Sequence, residues 1–305
     1  MRRLGALLTV VVPVALMGAS GQRAAVASYP APTFRVATFN IHKGADRPGR
    51  YDLEQTIDLI AHLDADLVGV QEALRNHAGF GCDDQPALIA EGLRQRTGQP
   101  WTSVYAQSWV TEDRRCLGRG QGDDVETEGV AFFARDRILE SRWVRLSEGR
   151  VGLAARVASM PDVPVIVTHL AASRQDQAGR AQELGRLLPW AAQQRPGVLL
   201  GDLNARPDAD ELAPVLARYR DAWAEADARG VARGVLSGST RPGRRVSRID
   251  YVLYSPDVPL TLQSVEIVDP ATLPGLGGVS DHFPVVATFL RGVPGDTVTP
   301  VVGTR

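Results

Sequence analysis

Lysine is almost missing from this chain: of 34 Lys and Arg residues, Lys43 alone is a lysine. We read that bias as genomic rather than functional. An excess of one charge sign is missing too. The formal net charge is −1, so no global basic field announces nucleic acid, although a local patch on a near-neutral protein can still bind phosphates. Cysteine is scarce. Cys82 and Cys116 stand alone and form no CxxC unit, so no zinc site is signalled. No apolar run reaches the roughly 20 residues of a spanning helix. The acidic pair Asp123-Asp124 lacks the ligand periodicity of an EF-hand, and there is no internal repeat. What remains is an ordinary globular balance, 44% hydrophobic and 23% charged over 305 residues, enough for a sizeable core.

The N-terminus has the parts of an export signal. Arg2 and Arg3 form a short positive segment, Leu4 to Met17 is apolar but broken by Pro13, and Ala25-Val26-Ala27 is a small-x-small cleavage site. The reading is a signal peptide over residues 1–27 and a secreted, extracellular domain over 28–291, with no stable membrane span. Residues 292–305 have Pro, Gly and Thr without periodicity and read as a disordered tail. In an oxidising compartment Cys82 and Cys116 read as one disulfide, worth roughly 2–4 kcal/mol. Two unrelated thiols are the alternative.

From Phe34 onward, β-like runs alternate with helical stretches. Apolar residues recur at helical spacing over Leu53–Leu63, Asp84–Arg96 and Gln175–Gln194. Strands are expected at Phe34–Phe39, Leu67–Val70, Trp101–Trp109, Gly129–Phe133, Arg142–Leu146, Leu153–Ala158, Val163–Thr168, Val198–Leu200, Ile249–Leu253, Leu260–Ile267 and Phe283–Phe289. Thr111–Glu128, rich in Gly, Asp and Arg, reads as an exposed loop. The economical arrangement is one α+β domain of two packed sheets covered by helices.

The polar residues of interest share a position, at or just beyond the end of an apolar strand. Asn40, Glu72, His169, Asp202 and Asn204 follow strands, Asp250 opens one, and Asp281-His282 precede another. Strand ends at one sheet edge converge in space. Each residue has a bland alternative. Glu72 could be solvated, Gly201-Asp202-Leu203-Asn204 a turn, His169 a structural histidine, and Ser280-Asp281-His282 a turn cap. Their joint, ordered occurrence weakens that account.

The series Thr38-Phe39-Asn40-Ile41-His42, Val70-Gln71-Glu72, Glu128-Gly129-Val130, Thr168-His169-Leu170, Gly201-Asp202-Leu203-Asn204, Arg248-Ile249-Asp250-Tyr251 and Ser280-Asp281-His282 resembles the endonuclease/exonuclease/phosphatase superfamily, the DNase I-like fold. The resemblance spans about residues 34 to 290. It implies a four-layer αββα sandwich of two mixed sheets flanked by helices. It implies a divalent metal, Mg²⁺ with Mn²⁺ or Ca²⁺ as alternatives, bound by Glu72, Asn40 and Asp281. It also implies catalytic roles for His282, His169, Asp250, Asp202 and Asn204, with Glu128 as a supporting carboxylate for His169.

These roles are chemically coherent. Oxygen ligands suit hard cations, and an Asp beside a His favours the imidazolium and fixes its tautomer. Whether Asp202 or His282 takes the proton of water stays open, as does one metal ion against two. Arg241, Arg244, Arg245 and Arg248 form a basic cluster, of which Arg245 and Arg248 are the expected substrate-binding residues; a solvated loop is the alternative. The expected function is a secreted metal-dependent phosphoester hydrolase of nuclease type, acting as a monomer on a phosphodiester in nucleic acid. A sphingomyelinase-like or inositol-phosphate enzyme acting on a phospholipid head group is the alternative, for which the apolar loop Leu273–Val279 speaks. A catalytically dead binding module on the same fold is a third reading.

Overall fold

The computed structural model describes residues 33–110, 115–116, 125–172 and 176–292. The export signal, Asp123-Asp124 and all of the expected tail but Gly292 lie outside these residues. Among them, no helix is long and apolar enough to cross a membrane.

Thirteen strands form two mixed sheets: β1 (Thr33–Asn40), β2 (Leu67–Arg75), β3 (Thr102–Val110), β4 (Thr127–Ala134), β5 (Ile138–Ser147), β6 (Arg150–Val157), β7 (Met160–His169), β8 (Val198–Asp202), β9 (Arg220–Asp221), β10 (Ala232–Gly234), β11 (Asp250–Tyr254), β12 (Leu260–Ile267) and β13 (Val285–Arg291). The seven-stranded sheet runs β10-β12-β13-β1-β2-β4-β3 and the six-stranded sheet β5-β6-β7-β8-β11-β9. Helices α1 (Leu53–His62) and α2 (Gln85–Thr97) pack on the first sheet, and α3 (Gln177–Gln193) on the second; α4 (Ala213–Leu216) and α5 (Ala222–Ala228) are short. Each long helix starts where an Asp side chain accepts a backbone N–H in the first turn: Asp52 from Gln55, Asp84 from Ala87 and Asp176 from Gly179.

Strand alternation generates the layers. Successive side chains point to opposite faces, so Val36, Leu67, Val165, Val167, Val198 and Leu200 fill the space between the sheets. Ala37, Phe39, Val68 and Val70 face outward to meet Ile57, Ile60, Ile89 and Leu93 of α1 and α2. Ile166, Leu199 and Leu253 face outward on the other sheet to meet Leu184, Leu187 and Leu188 of α3. Three apolar seams separate four layers, the αββα sandwich expected. The sheets approach closely at Gly69, where a Cβ would lie 3.0 Å from Val167 and 3.1 Å from Leu200.

Register sets the site. His169 pairs with Asp202 across β7 and β8, and Asp202 with Asp250 across β8 and β11. Asn40 pairs with Gln71 across β1 and β2. These rows finish at one edge of the sandwich. Gly201 lets β8 lie close to β7, since a Cβ there would stand 2.2 Å from the Thr168 carbonyl oxygen.

Two expectations need correction, and one helix was not expected. Thr111–Glu128 is not wholly an exposed loop: Glu126, Thr127 and Glu128 are buried, and β4 begins at Thr127 against β2 and β3. The last strand begins at Val285 rather than Phe283. Helix α5, unmarked in the sequence reading, buries only Ala222, Trp223 and Ala226, too short a face to show a period. Cys82 and Cys116 are joined by a disulfide across 34 positions, and closing a loop of that length contributes roughly 3–4 kcal/mol.

Candidate active site

Each sheet contributes one half of the site. From the seven-stranded sheet come Asn40 and Glu72. The register of β2 on β4 shifts between Val70 and Ala73, and within this bulge Glu72 has φ 57°, in the left-handed region. A non-Gly residue there costs on the order of 1 kcal/mol or more. The bulge re-aims Glu72 out of the strand alternation. Asn40, fully buried, donates from Nδ2 to Glu72 Oε1 at 3.1 Å and to Asp202 Oδ2 at 3.1 Å. One amide thus ties a carboxylate of one sheet to a carboxylate of the other. Its Oδ1 accepts the His42 backbone N–H at 3.0 Å, so its donor face meets the carboxylates. Asn40, expected at the metal, acts here as a donor that orients both carboxylates.

The six-stranded sheet brings His169, Asp202 and Asp250. His282 meets them from the loop before β13, where its backbone N–H donates to Ser280 Oγ at 3.1 Å and Ser280 Oγ donates to the Asn40 carbonyl at 2.8 Å. Its Nδ1 donates to both Asp250 oxygens, at 2.9 and 3.1 Å. Its Nε2 stands 3.7 Å from Asp202 Oδ2 and 3.8 Å from Asp281 Oδ1. Burial disfavours the charged ring, but the carboxylates of Asp250 and Asp202 outweigh it and raise the His282 pKa to about 9. Burial and the charge of Asp250 push Asp202 up to about 7.

Asn204 completes this half. Its backbone N–H donates to Asp202 Oδ1 at 2.9 Å, and its Nδ2 lies 3.0 Å from both the Leu170 carbonyl oxygen and His169 Nε2. An amide N–H facing Nε2 requires that nitrogen to be an acceptor, hence a neutral ring. The electrostatics agree: burial, then the charge of Arg150, hold His169 well below the usual histidine range.

Other expected residues are placed differently. Glu128 makes no hydrogen bond to His169 among the described residues; it pairs with Lys43 at 3.5 Å, and burial and the nearby Glu72 raise its pKa. The reason is topological, since Glu128 stands on β4 in the opposite sheet. Asp281 holds Arg241 in an ion pair. Burial alone would raise its pKa, but the charges of His282 and Arg241 bring it below the usual range. Arg248, expected to bind substrate, is engaged within the fold. Its guanidinium donates to Asp221 at 2.6 Å and lies over the Tyr251 ring, occupied within the fold. Arg245 is exposed on the rim of a cleft of about 610 Å³ that reaches Asn204.

Arg150 escaped the sequence reading. Arg150 opens β6 after a tight hairpin, is half-buried, and has no ion pair among the described residues. Its charge reaches both His169 and Glu128. Its neighbours in sequence, Gly149 and Val151, carry no chemistry that would have marked it.

The donor set fits a hard cation. Glu72 Oε2 has no hydrogen-bond partner among the described residues, and Asp202 lies across Asn40 from it. Ligand atoms of Asp202, Asp250 and His282 also lie within 4.8 Å of one another. That trio suits a metal less well, because Nδ1 of His282 consumes both Asp250 oxygens and the ring favours its proton.

Comparison with known proteins bears on the fold. The chain resembles the solved endonuclease/exonuclease/phosphatase from Beutenbergia cavernae DSM 12333 at 24% identity and TM-score 0.64, over 85% of this chain and 72% of that one. A similar protein from Bacteroides vulgatus matches at 20% identity and TM-score 0.60, over 85% and 99%. D. rerio TDP2, solved with a single-strand DNA product, matches at 18% identity and TM-score 0.58, over 84% and 98%. These likenesses establish the fold. No curated protein matches the chain by sequence. The model of the Endonuclease/Exonuclease/phosphatase family matches residues 37–282, nearly the whole domain, and the chain belongs to that family.

Proposed function

We propose that this protein is an exported, monomeric, divalent-metal-dependent phosphodiesterase of nuclease type. The observation that carries the reading is His282, gripped at Nδ1 by Asp250 at 2.9 Å while Nε2 faces Asp202 across 3.7 Å. A phosphoryl oxygen or water lying beside this pair can reach both ring and carboxylate at hydrogen-bond distance.

Glu72 and Asp202 would hold the cation, Mg²⁺ by the hardness of its ligands, with Asp281 as a further carboxylate once Arg241 releases it. A bound cation supplies charge neutralisation on the phosphate and a more acidic water. The chain's own groups do the rest. Asp202, oriented by Asn40 and Asn204, accepts the proton of the attacking water. His282, charged at neutral pH, donates from Nε2 to the phosphoryl oxygen on which negative charge grows. Neutral His169 fixes Asn204 beside the phosphate. The water oxygen bonds to phosphorus, the bond to the leaving oxygen breaks, and the freed alkoxide takes up a proton from solvent water.

The lipid alternative loses its main support. Leu273 and Leu276 are half-buried against the helix-covered face of the seven-stranded sheet and Val279 is buried, which leaves little of this loop free as an apolar wedge. The test is hydrolysis of bis-(p-nitrophenyl) phosphate, plasmid DNA and sphingomyelin with Mg²⁺, Mn²⁺ or Ca²⁺, with EDTA as control. Metal-dependent cleavage of the first two is expected. Failure to cleave any diester would favour the binding module, and intact plasmid beside cleaved sphingomyelin would replace the nuclease.

A further inference from the structure

Next to the catalytic centre lies a second basic feature that the hydrolytic machinery does not use. Arg47, Arg241, Arg244 and Arg245 line one cleft of about 250 Å³ together with Pro242, Gly243 and Ser247, and no acidic residue lines it. Arg47 arrives from the loop after β1, far from the other three in sequence. Arg47, Arg244 and Arg245 are exposed, and none has an ion pair among the described residues. Surface arginines elsewhere in this chain commonly find carboxylates, as Arg94 does with Glu91 and Arg229 with Glu225. The three guanidinium groups without a carboxylate partner repel one another, and a bound anion relieves that repulsion.

The position of the patch decides what kind of anion. Arg241 is shared. It lines this cleft, the 610 Å³ cleft that ends at Asn204, and a 450 Å³ cleft that ends at Ser280. It also pairs with Asp281, the neighbour of His282. Arg241 therefore connects the reacting centre to the patch, while Arg244 and Arg245 extend outward from it. A lone scissile phosphate at His282 leaves those outer arginines without a partner. A chain of phosphates engages both places at once.

Resting on the phosphodiesterase reading above, we infer that Arg47, Arg244 and Arg245 form a subsite for a non-scissile phosphate of a polynucleotide, with Arg241 as the link to the reacting phosphate. Arginine forks match phosphate oxygens in pairs. The subsite positions backbone and reads no bases, so it lends affinity without sequence preference.

The test uses the Arg244→Ala/Arg245→Ala double variant of the full chain; both side chains are exposed and outside the hydrolytic machinery. Binding of a fluorescein-labelled DNA about 20 nucleotides long, read by anisotropy in EDTA, is expected to weaken on the order of tenfold, and its log–log salt dependence to become shallower by about two. Cleavage of bis-(p-nitrophenyl) phosphate, which has no second phosphate, stays within about twofold of wild type. An unchanged salt slope overturns the subsite even where the wild type cleaves diesters. So does a variant that loses inositol hexakisphosphate but keeps DNA, which would make the patch a small-polyphosphate site. If the wild type cleaves no diester, the phosphodiesterase reading fails, while the anisotropy measurement still judges the patch.

Discussion

Two basic groups sit side by side in this molecule and are built in opposite ways. His282 is buried, gripped by Asp250 at 2.9 Å and braced through Ser280 to the backbone of Asn40. The Arg47, Arg244 and Arg245 rim is exposed and unpaired among the described residues. A buried charge survives only when partnered, so its geometry is fixed before substrate arrives. A solvated charge costs little to leave free and adapts to what binds. Chemistry is assigned to the first design and capture to the second. Arg248 shows the distinction within one short segment: three residues past Arg245, it is occupied by Asp221 at 2.6 Å.

The comparison can be broken where it is strongest. His282→Ala is expected to lower kcat by about 10³-fold or more and Asp250→Asn by about 10²–10⁴-fold, with KM for DNA little changed, in steady-state assays with Mg²⁺. A large KM effect would move His282 from chemistry to capture. Asn40→Ala removes the donor shared by Glu72 and Asp202. A loss of about 10–100-fold in metal affinity is expected from metal titration of activity.

Removing Arg248 tests the opposite claim. Arg248→Ala leaves Asp221 unpaired and is expected to cost about 2 kcal/mol in urea unfolding, while kcat/KM on DNA stays within about threefold. A selective loss of DNA binding at unchanged stability would return Arg248 to the rim.

A further effect is on stability against pH in EDTA. His282 titrates near 6.5 when unfolded and about 9 when folded. Its protonation therefore stabilises the fold fully below pH 6.5, and that stability is lost as pH rises through 9. Melting temperature in the wild type is expected to fall across this window, and His282→Asn to flatten the decline. Equal slopes in both proteins would mean the ring is not charged at neutral pH.

Much of this was legible in the sequence, for a physical reason. Strands buried on both faces need apolar runs, so a polar residue at their ends stands out, as Asn40, Asp202 and Asp250 do. Helices α1 and α3 declared themselves through spaced apolar faces. Relations between distant segments were not legible. Nothing local announces that Glu72 sits in a left-handed bulge, that Asp281 pairs with Arg241, or that Glu128 belongs to Lys43. Arg47 and Arg150 lack any neighbouring motif, and only the folded chain brings them to the site. Arg248 misled because a basic cluster in sequence need not share one surface.

The Asn40 amide has one more consequence. It spans from β1 of one sheet to Asp202 on β8 of the other, with the sheets pressed together at Gly69. Hydrogen bonds weaken quickly once their geometry slips. The amide therefore works as a gauge of how the two halves are seated, reading out small displacements that neither half would register alone. A bulkier side chain deep in the seam, such as Gly69→Val, is positioned to silence the enzyme while its secondary structure persists. During refolding, activity would return only with the last closure of one sheet onto the other.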